Sequence, residues 1–150
     1  MARKKAKFTV DKKQAAQRVK KIWPVLNKLY PKARLALNSK NPLELLIATI
    51  LSAQCTDVRV NMVTKDLFKK YKSAKDWAKA DRKQIESEIK STGFFRNKAL
   101  NIQAACADII DKFDNKVPST MEDLVQLPGV GRKTASVVSV SYTHLTLPTN

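Results

Sequence analysis

Apolar residues recur every three or four positions along nearly the whole chain, and strict alternation is sustained only over the last ten residues. That spacing follows the helical repeat, so the pattern predicts an all-α protein without the alternating strands of a doubly wound sheet. The stripe Ala15, Val19, Ile22, Trp23, Leu26 and Leu29 marks a first helix that opens at Asp11 with Gln14 three residues on, and Pro24 inside it predicts a kink or a restart. Asn41-Pro42-Leu43-Glu44 places a capping side chain, a first-turn proline and a first-turn acid ahead of an apolar run to Ala53, which predicts a buried helix. Asp57 is expected to cap a helix through Val60, Val63 and Leu67; Ser73 with Asp76 and Asp81 with Gln84 open two short ones. Asn97 is expected to cap the helix carrying Leu100, Ile102, Cys106 and Ile109, and Ser119-Thr120-Met121-Glu122 reads as a capping box ahead of Leu124 and Leu127. The sum is about eight short helices joined by tight turns, a globular bundle and not a coiled coil.

Composition narrows the partners. The 150 residues suffice for one core, and 29 Lys and Arg against 13 Asp and Glu leave a formal charge of +16, a field suited to a polyanion. Nucleic acid is the first expectation. A membrane is not, because the longest apolar run, Leu45 to Leu51, is too short to span a bilayer. Met1 to Val10 is basic but lacks the apolar stretch of a secretory signal, so a cytoplasmic or nucleoid location is expected. Cys55 and Cys106 have no second Cys or His at ligand spacing, which predicts buried free thiols, with no metal held by side chains.

Of only three glycines, two fall in Leu127-Pro128-Gly129-Val130-Gly131-Arg132-Lys133. Glycine there permits positive φ and removes the Cβ atoms that keep a phosphate from the main chain, while the following helix begins with unpaired N–H groups and a favourable dipole. The plainer alternative is an ordinary Pro-Gly turn between helices.

The longer string Leu127-Pro128-Gly129-Val130-Gly131-Arg132-Lys133-Thr134-Ala135 resembles the helix-hairpin-helix signature of the endonuclease III family of DNA glycosylases. Three more blocks agree in order: Asn41 to Ala48, Leu51 to Asp57, and Ser91-Thr92-Gly93-Phe94-Phe95-Arg96-Asn97-Lys98-Ala99. The resemblance runs from roughly Val19 to Val138. It implies an all-α helix-hairpin-helix DNA glycosylase fold: a basic tail at 1–10, an N-terminal helix of a second subdomain at 11–34, and a six-helix core at 35–140 with the hairpin at 120–140. It also implies duplex DNA with damaged bases or abasic sites as partner, and a monomer.

By the same resemblance, Leu127, Gly129, Val130, Gly131 and Arg132 grip the DNA backbone, often beside a monovalent cation. Gln54 fills the gap left by an extruded nucleotide, and Phe94, usually aliphatic in the family, wedges between bases. Lys133 corresponds to the amine that attacks C1′, expels the base and holds the sugar as a Schiff base until β-elimination cuts the strand. Such an amine must be deprotonated, which burial or neighbouring cations such as Arg132 and Lys98 favour. Simpler readings stand beside these: Phe94 as core with Phe95, Gln54 as a helix cap, Lys133 as one phosphate-binding lysine among many.

The family also uses an aspartate in a Val-Asp-Thr-His stretch and, in many members, four clustered cysteines that bind an iron-sulfur cluster. No Asp or Glu follows Asp123, and two cysteines cannot supply the four ligands of a cluster. Residues 141–150 are uncharged and Thr-rich and read as a non-family tail from a frameshift, a truncated frame or appended sequence, with His144 uninvolved. The core is therefore expected to be incomplete at its C-terminus, to lack the iron-sulfur subdomain and to be impaired in catalysis. Outside the enzyme class, the sequence also fits a non-catalytic helix-hairpin-helix DNA-binding fragment or, on charge alone, an RNA-associated protein.

Overall fold

The computed structural model describes residues 11–31 and 35–146, and among these every regular element is helical. The basic tail at 1–10 and the last residues, 147–150, lie outside the described residues. The chain divides into two units, residues 1–35 and 36–150.

The first unit is α1 (Lys12–Leu29). Asp11 caps it, Oδ1 accepting from the backbone N–H of Lys13 at 2.9 Å and of Gln14 at 3.2 Å. Lys28 in the last turn complements the dipole. Pro24 neither ends nor restarts the helix: it removes one N–H, and the backbone continues to Leu29. Within its own unit the stripe Val19, Ile22, Trp23, Leu26 and Leu29 is uncovered.

The second unit is built around α2 (Pro42–Leu51), in which every residue from Leu45 to Leu51 is buried. A helix apolar on all sides belongs in the middle of a domain. It packs against α3 (Asp57–Lys70), α6 (Phe95–Lys112) and α8 (Arg132–Thr146). Asn41 caps it as the sequence predicts, Oδ1 accepting from Glu44 N–H at 2.9 Å. The short α4 (Ala74–Lys79) and α5 (Arg82–Glu88) pack on α6, and a 3-10 turn at Lys90–Thr92 leads into it. Trp77, Ile85, Ile89, Ile102 and Ile109 fill the space between them, each such side chain contributing about 1.5–3 kcal/mol of burial. The Tyr71 hydroxyl donates to Glu88 at 3.0 Å and its ring lies 4.6 Å from that of Trp77, which fastens the end of α3 to α4 and α5. The four-residue α7 (Met121–Leu124) meets α8 through the hairpin.

Several starts differ from the sequence expectation by one to three residues. Thr56, not Asp57, caps α3, its hydroxyl accepting from Arg59 N–H at 3.3 Å, and Asp57 serves as the first-turn acid. The capping pair before α7 is Thr120 with Asp123, not Ser119 with Glu122; both satisfy the spacing rule, and the observed register buries Leu124 and Leu127. Asn97 does not cap α6, which begins at Phe95 with Phe94 in the N-cap position. Cys106 is buried as expected, but Cys55 is only half-buried. At the other end α8 continues to Thr146, so residues 141–146 extend a helix where alternation suggested a departure from it. Propagation from a turn anchored by the buried Ala135 and Val138 carries through the Thr-rich run.

Candidate nucleic-acid interface

The hairpin is held from below and bare above. Leu127 and Val130 are 2% and 6% exposed, and the Val130 N–H donates to the Leu127 carbonyl at 3.1 Å, closing a tight turn over them. Gly129 takes φ +75°, and a Cβ there would lie 2.7 Å from Cβ of Asn101 on α6, so both conformation and space demand glycine. Gly131 differs: its φ is not in the left-handed region and a Cβ would meet nothing within 4 Å, so the expectation of positive φ at both glycines holds only for the first. What Gly131 supplies is the absence of a capping side chain. Its carbonyl accepts from Ala135 N–H at 2.9 Å, opening α8, and it has no side chain to occupy the first-turn N–H groups that follow. Those donors and the helix dipole make a seat for an anion. Arg132 and Lys133, both exposed, occupy the first turn of α8 beside it.

Two other loops share an unusual backbone. Gln54, between α2 and α3, has φ 53° and is exposed. Phe94, ahead of α6, has φ 48° and is 65% exposed, directly after Gly93 at φ 71°. A non-glycine residue in this region costs about 1–2 kcal/mol, and such strain gathers at functional positions. Exposure sets aside the reading of Phe94 as core: it is Phe95 that packs on the core, with the Arg96 guanidinium 5.2 Å from its ring centre. Gln54 stands two residues beyond Ser52, the C-cap of α2, so the capping reading for it also fails.

Helix α6 stands behind all three segments. Phe94, Lys98 and Asn101 follow one another at intervals of four and three, along one side of a helix. Asn101 touches the hairpin at Gly129. Lys98 is 5% exposed, and its Nζ donates to the carbonyls of Leu51 and Thr92, each at 2.8 Å. Burial holds its amine below the usual lysine value of 10.5, an effect that the neighbouring Cys55 partly offsets. The amine thus ties together the ends of two segments, at Leu51 and Thr92. Lys133 itself is exposed. Neither the link from Lys98 to Leu51 nor the contact made by Asn101 carries a local sequence signal, because those partners lie 47 and 28 positions away along the chain.

Among the described residues, no group of three or more His, Cys, Asp or Glu side chains could hold a metal ion. An iron-sulfur cluster does not fit the residues present: Cys106 is buried with its thiol pushed up to about 12 by burial, and Cys55 stands as the only other thiol of the chain. No described helix is long and apolar enough to cross a membrane.

Residues 47–146 match the HhH-GPD superfamily of base excision DNA repair proteins. Over 122 residues the chain is 57% identical to an endonuclease III of Synechocystis sp., covering 81% of this chain and 56% of that protein. Endonuclease III of Bacillus subtilis is 49% identical over 110 residues, 73% of this chain and 50% of that one. Among solved structures, a non-covalent endonuclease III–DNA complex superposes with a TM-score of 0.74 at 45% identity, covering 89% of this chain and 60% of that chain. A trapped endonuclease III–DNA covalent intermediate superposes with a TM-score of 0.73 at 46% identity, covering 87% and 60%. The chain spans little more than half the length of these relatives.

Proposed function

Because the chain belongs to the HhH-GPD superfamily of base excision DNA repair proteins, we propose that it acts on duplex DNA as a glycosylase and abasic-site lyase, directed at oxidised pyrimidines and abasic sites. The observation that carries this reading is the hairpin: a glycine turn locked against Asn101, buried beneath and bare above, followed at once by the exposed amine of Lys133.

On this reading the main-chain N–H groups of the turn and the first turn of α8 bind a backbone phosphate, with Arg132 adding charge; such contacts fix position without reading sequence. The Leu127 and Gly131 carbonyls each accept one main-chain bond and keep a second lone pair, chemistry that suits a monovalent cation at the turn. Phe94 enters the base stack as a wedge and Gln54 occupies the space left by the everted nucleotide, compensating for lost stacking. Lys133 then attacks C1′ through its neutral amine. The glycosidic bond breaks, the base leaves with a proton, and the opened sugar is held as a Schiff base. Loss of a C2′ proton expels the 3′ phosphate, and hydrolysis frees the lysine.

At an abasic site the sugar already offers an aldehyde and no base need be expelled. Work on DNA as a monomer in the cytosol or nucleoid fits the reading.

The test is borohydride reduction in the presence of abasic-site duplex. A covalent adduct should form with the chain and be absent with Lys133→Ala. Unchanged trapping in that variant would reject the role of Lys133; tight, salt-sensitive duplex binding without any adduct would reduce the protein to a non-catalytic DNA-binding fragment.

A further inference from the structure

Of the described non-glycine residues with left-handed backbone, Gln54, Phe94, Asp114 and Asn115, the first two lie in loops that are separate in sequence, yet one buried side chain is bonded to the helical end that precedes each of them. Leu51, whose carbonyl accepts from Lys98, ends α2 three residues before Gln54. Thr92, whose carbonyl accepts from the same Nζ, ends the 3-10 turn two residues before Phe94. We propose that Lys98 is a positioning residue which, by holding the Leu51 and Thr92 carbonyls on a single amine, fixes the separation and aim of Gln54 and Phe94. This rests on the proposed DNA-repair reading, since it assigns those two residues to the gap and the wedge.

The physical case begins with the helix ends. At the end of α2 the carbonyls of Ala48, Thr49 and Ile50 accept from Ser52 and Ala53, and that of the buried Leu51 is left to a more distant donor. Lys98 meets one of these acceptors and reaches across to Thr92, itself buried and further fastened by its hydroxyl, which donates to Ile89 at 2.8 Å. On the other side Ser52 is held by a hydroxyl bond to Thr49 at 2.9 Å. Each anchor is therefore stiff up to the residue next to the loop, and the loops themselves are only a few residues long. A left-handed residue stays in that conformation only where its surroundings impose it. Gly93, at φ 71°, lets the chain turn from the Thr92 anchor into Phe94, and the first helical bond of α6 runs from Lys98 N–H to the Phe94 carbonyl at 3.0 Å. Lys98 thus holds Phe94 through its backbone and through its side chain. Two N–H bonds can be supplied by the charged or the neutral amine, so the clamp does not require a particular protonation state.

Lys98→Met keeps the apolar stem and removes every N–H. Binding to undamaged duplex, which depends on the hairpin, should stay within about twofold of the unaltered chain. Preference for abasic-site over undamaged duplex should fall about tenfold, as should the fluorescence change of a 2-aminopurine placed beside the lesion, which reports wedging. In a double-mutant cycle, Lys98→Met should add little to the loss already caused by Phe94→Ala. Should Lys98→Met fail to fold, the unaltered chain still decides: the Lys98 Nζ hydrogens should exchange far more slowly than those of surface lysines, and exchange at the surface rate would overturn the clamp. Retention of full abasic preference by Lys98→Met, additive losses in the cycle, or an equal fall in both kinds of binding would overturn the positioning role alone. Failure of the unaltered chain to prefer abasic duplex would overturn the repair reading instead.

Discussion

The hairpin at 127–133 and the pair of loops at Gln54 and Phe94 are both backed by α6, yet they solve opposite problems. On the proposed reading the hairpin makes its contact through the main chain, with no side chain at Gly129 or Gly131 and support from below through the buried Leu127 and Val130. On the same reading the loops make contact through the side chains of Gln54 and Phe94, which stand at left-handed positions where glycine would be comfortable, with the bonds of Lys98 behind them. The difference teaches how to tell phosphate grip from wedge in a helical DNA-binding protein. A grip shows left-handed glycine over buried flanks. A wedge shows an exposed, left-handed aromatic or amide residue with a buried polar anchor close by in sequence.

The hairpin side of the comparison breaks most severely at Gly129. Alanine there meets both a φ of +75° and Asn101 at 2.7 Å, and should lower stability by about 1–3 kcal/mol in a urea melt while weakening binding to all duplexes. Gly131→Ala sharpens the contrast. With open space around it and no positive φ, folding should change by no more than about 0.5 kcal/mol, while phosphate binding in a salt titration weakens modestly. If both alanines cost the same stability, the two glycines do not have the separate roles assigned to them.

On the loop side, Phe94→Ala should leave stability within about 1 kcal/mol, because an exposed ring has little burial to lose, while preference for abasic duplex drops. A loss of several kcal/mol would return Phe94 to the core. The smallest effect concerns the thiols behind these loops. Half-buried Cys55 should react with a disulfide reagent at about pH 8 in the folded chain, and Cys106 should not. Because burial raises the Cys106 thiol from 9.0 to about 12, its neutral form supports folding fully below pH 9.0. That support is lost as pH climbs toward 12, since the unfolded chain ionises first, and a pH series of melts on Cys106→Ala should show a shallower decline.

The local rules served where the signal is local. Asn41, Ser73 and Asp81 cap the helices predicted for them, and the clustered glycines mark the hairpin in the sequence itself. They failed at Asn97 because α6 opens on Phe94, which has no side chain that could cap it, and no capping pattern announces such a start. At α3 and α7 two adjacent polar residues both fit the rule, and burial of the next apolar residues chose between them. Lys98 enters from the sequence only as a cation beside Lys133; the fold, which brings Leu51 and Thr92 to its Nζ, marks it as buried. Asn101 beneath Gly129 is non-local in the same way.

The central claim is that the amine immediately after the glycine turn reaches the sugar of an everted nucleotide. Borohydride-trapped protein digested and mapped by mass spectrometry tests it directly. The account predicts the deoxyribose adduct on Lys133, and an adduct spread over other lysines or confined to one away from the hairpin would contradict it.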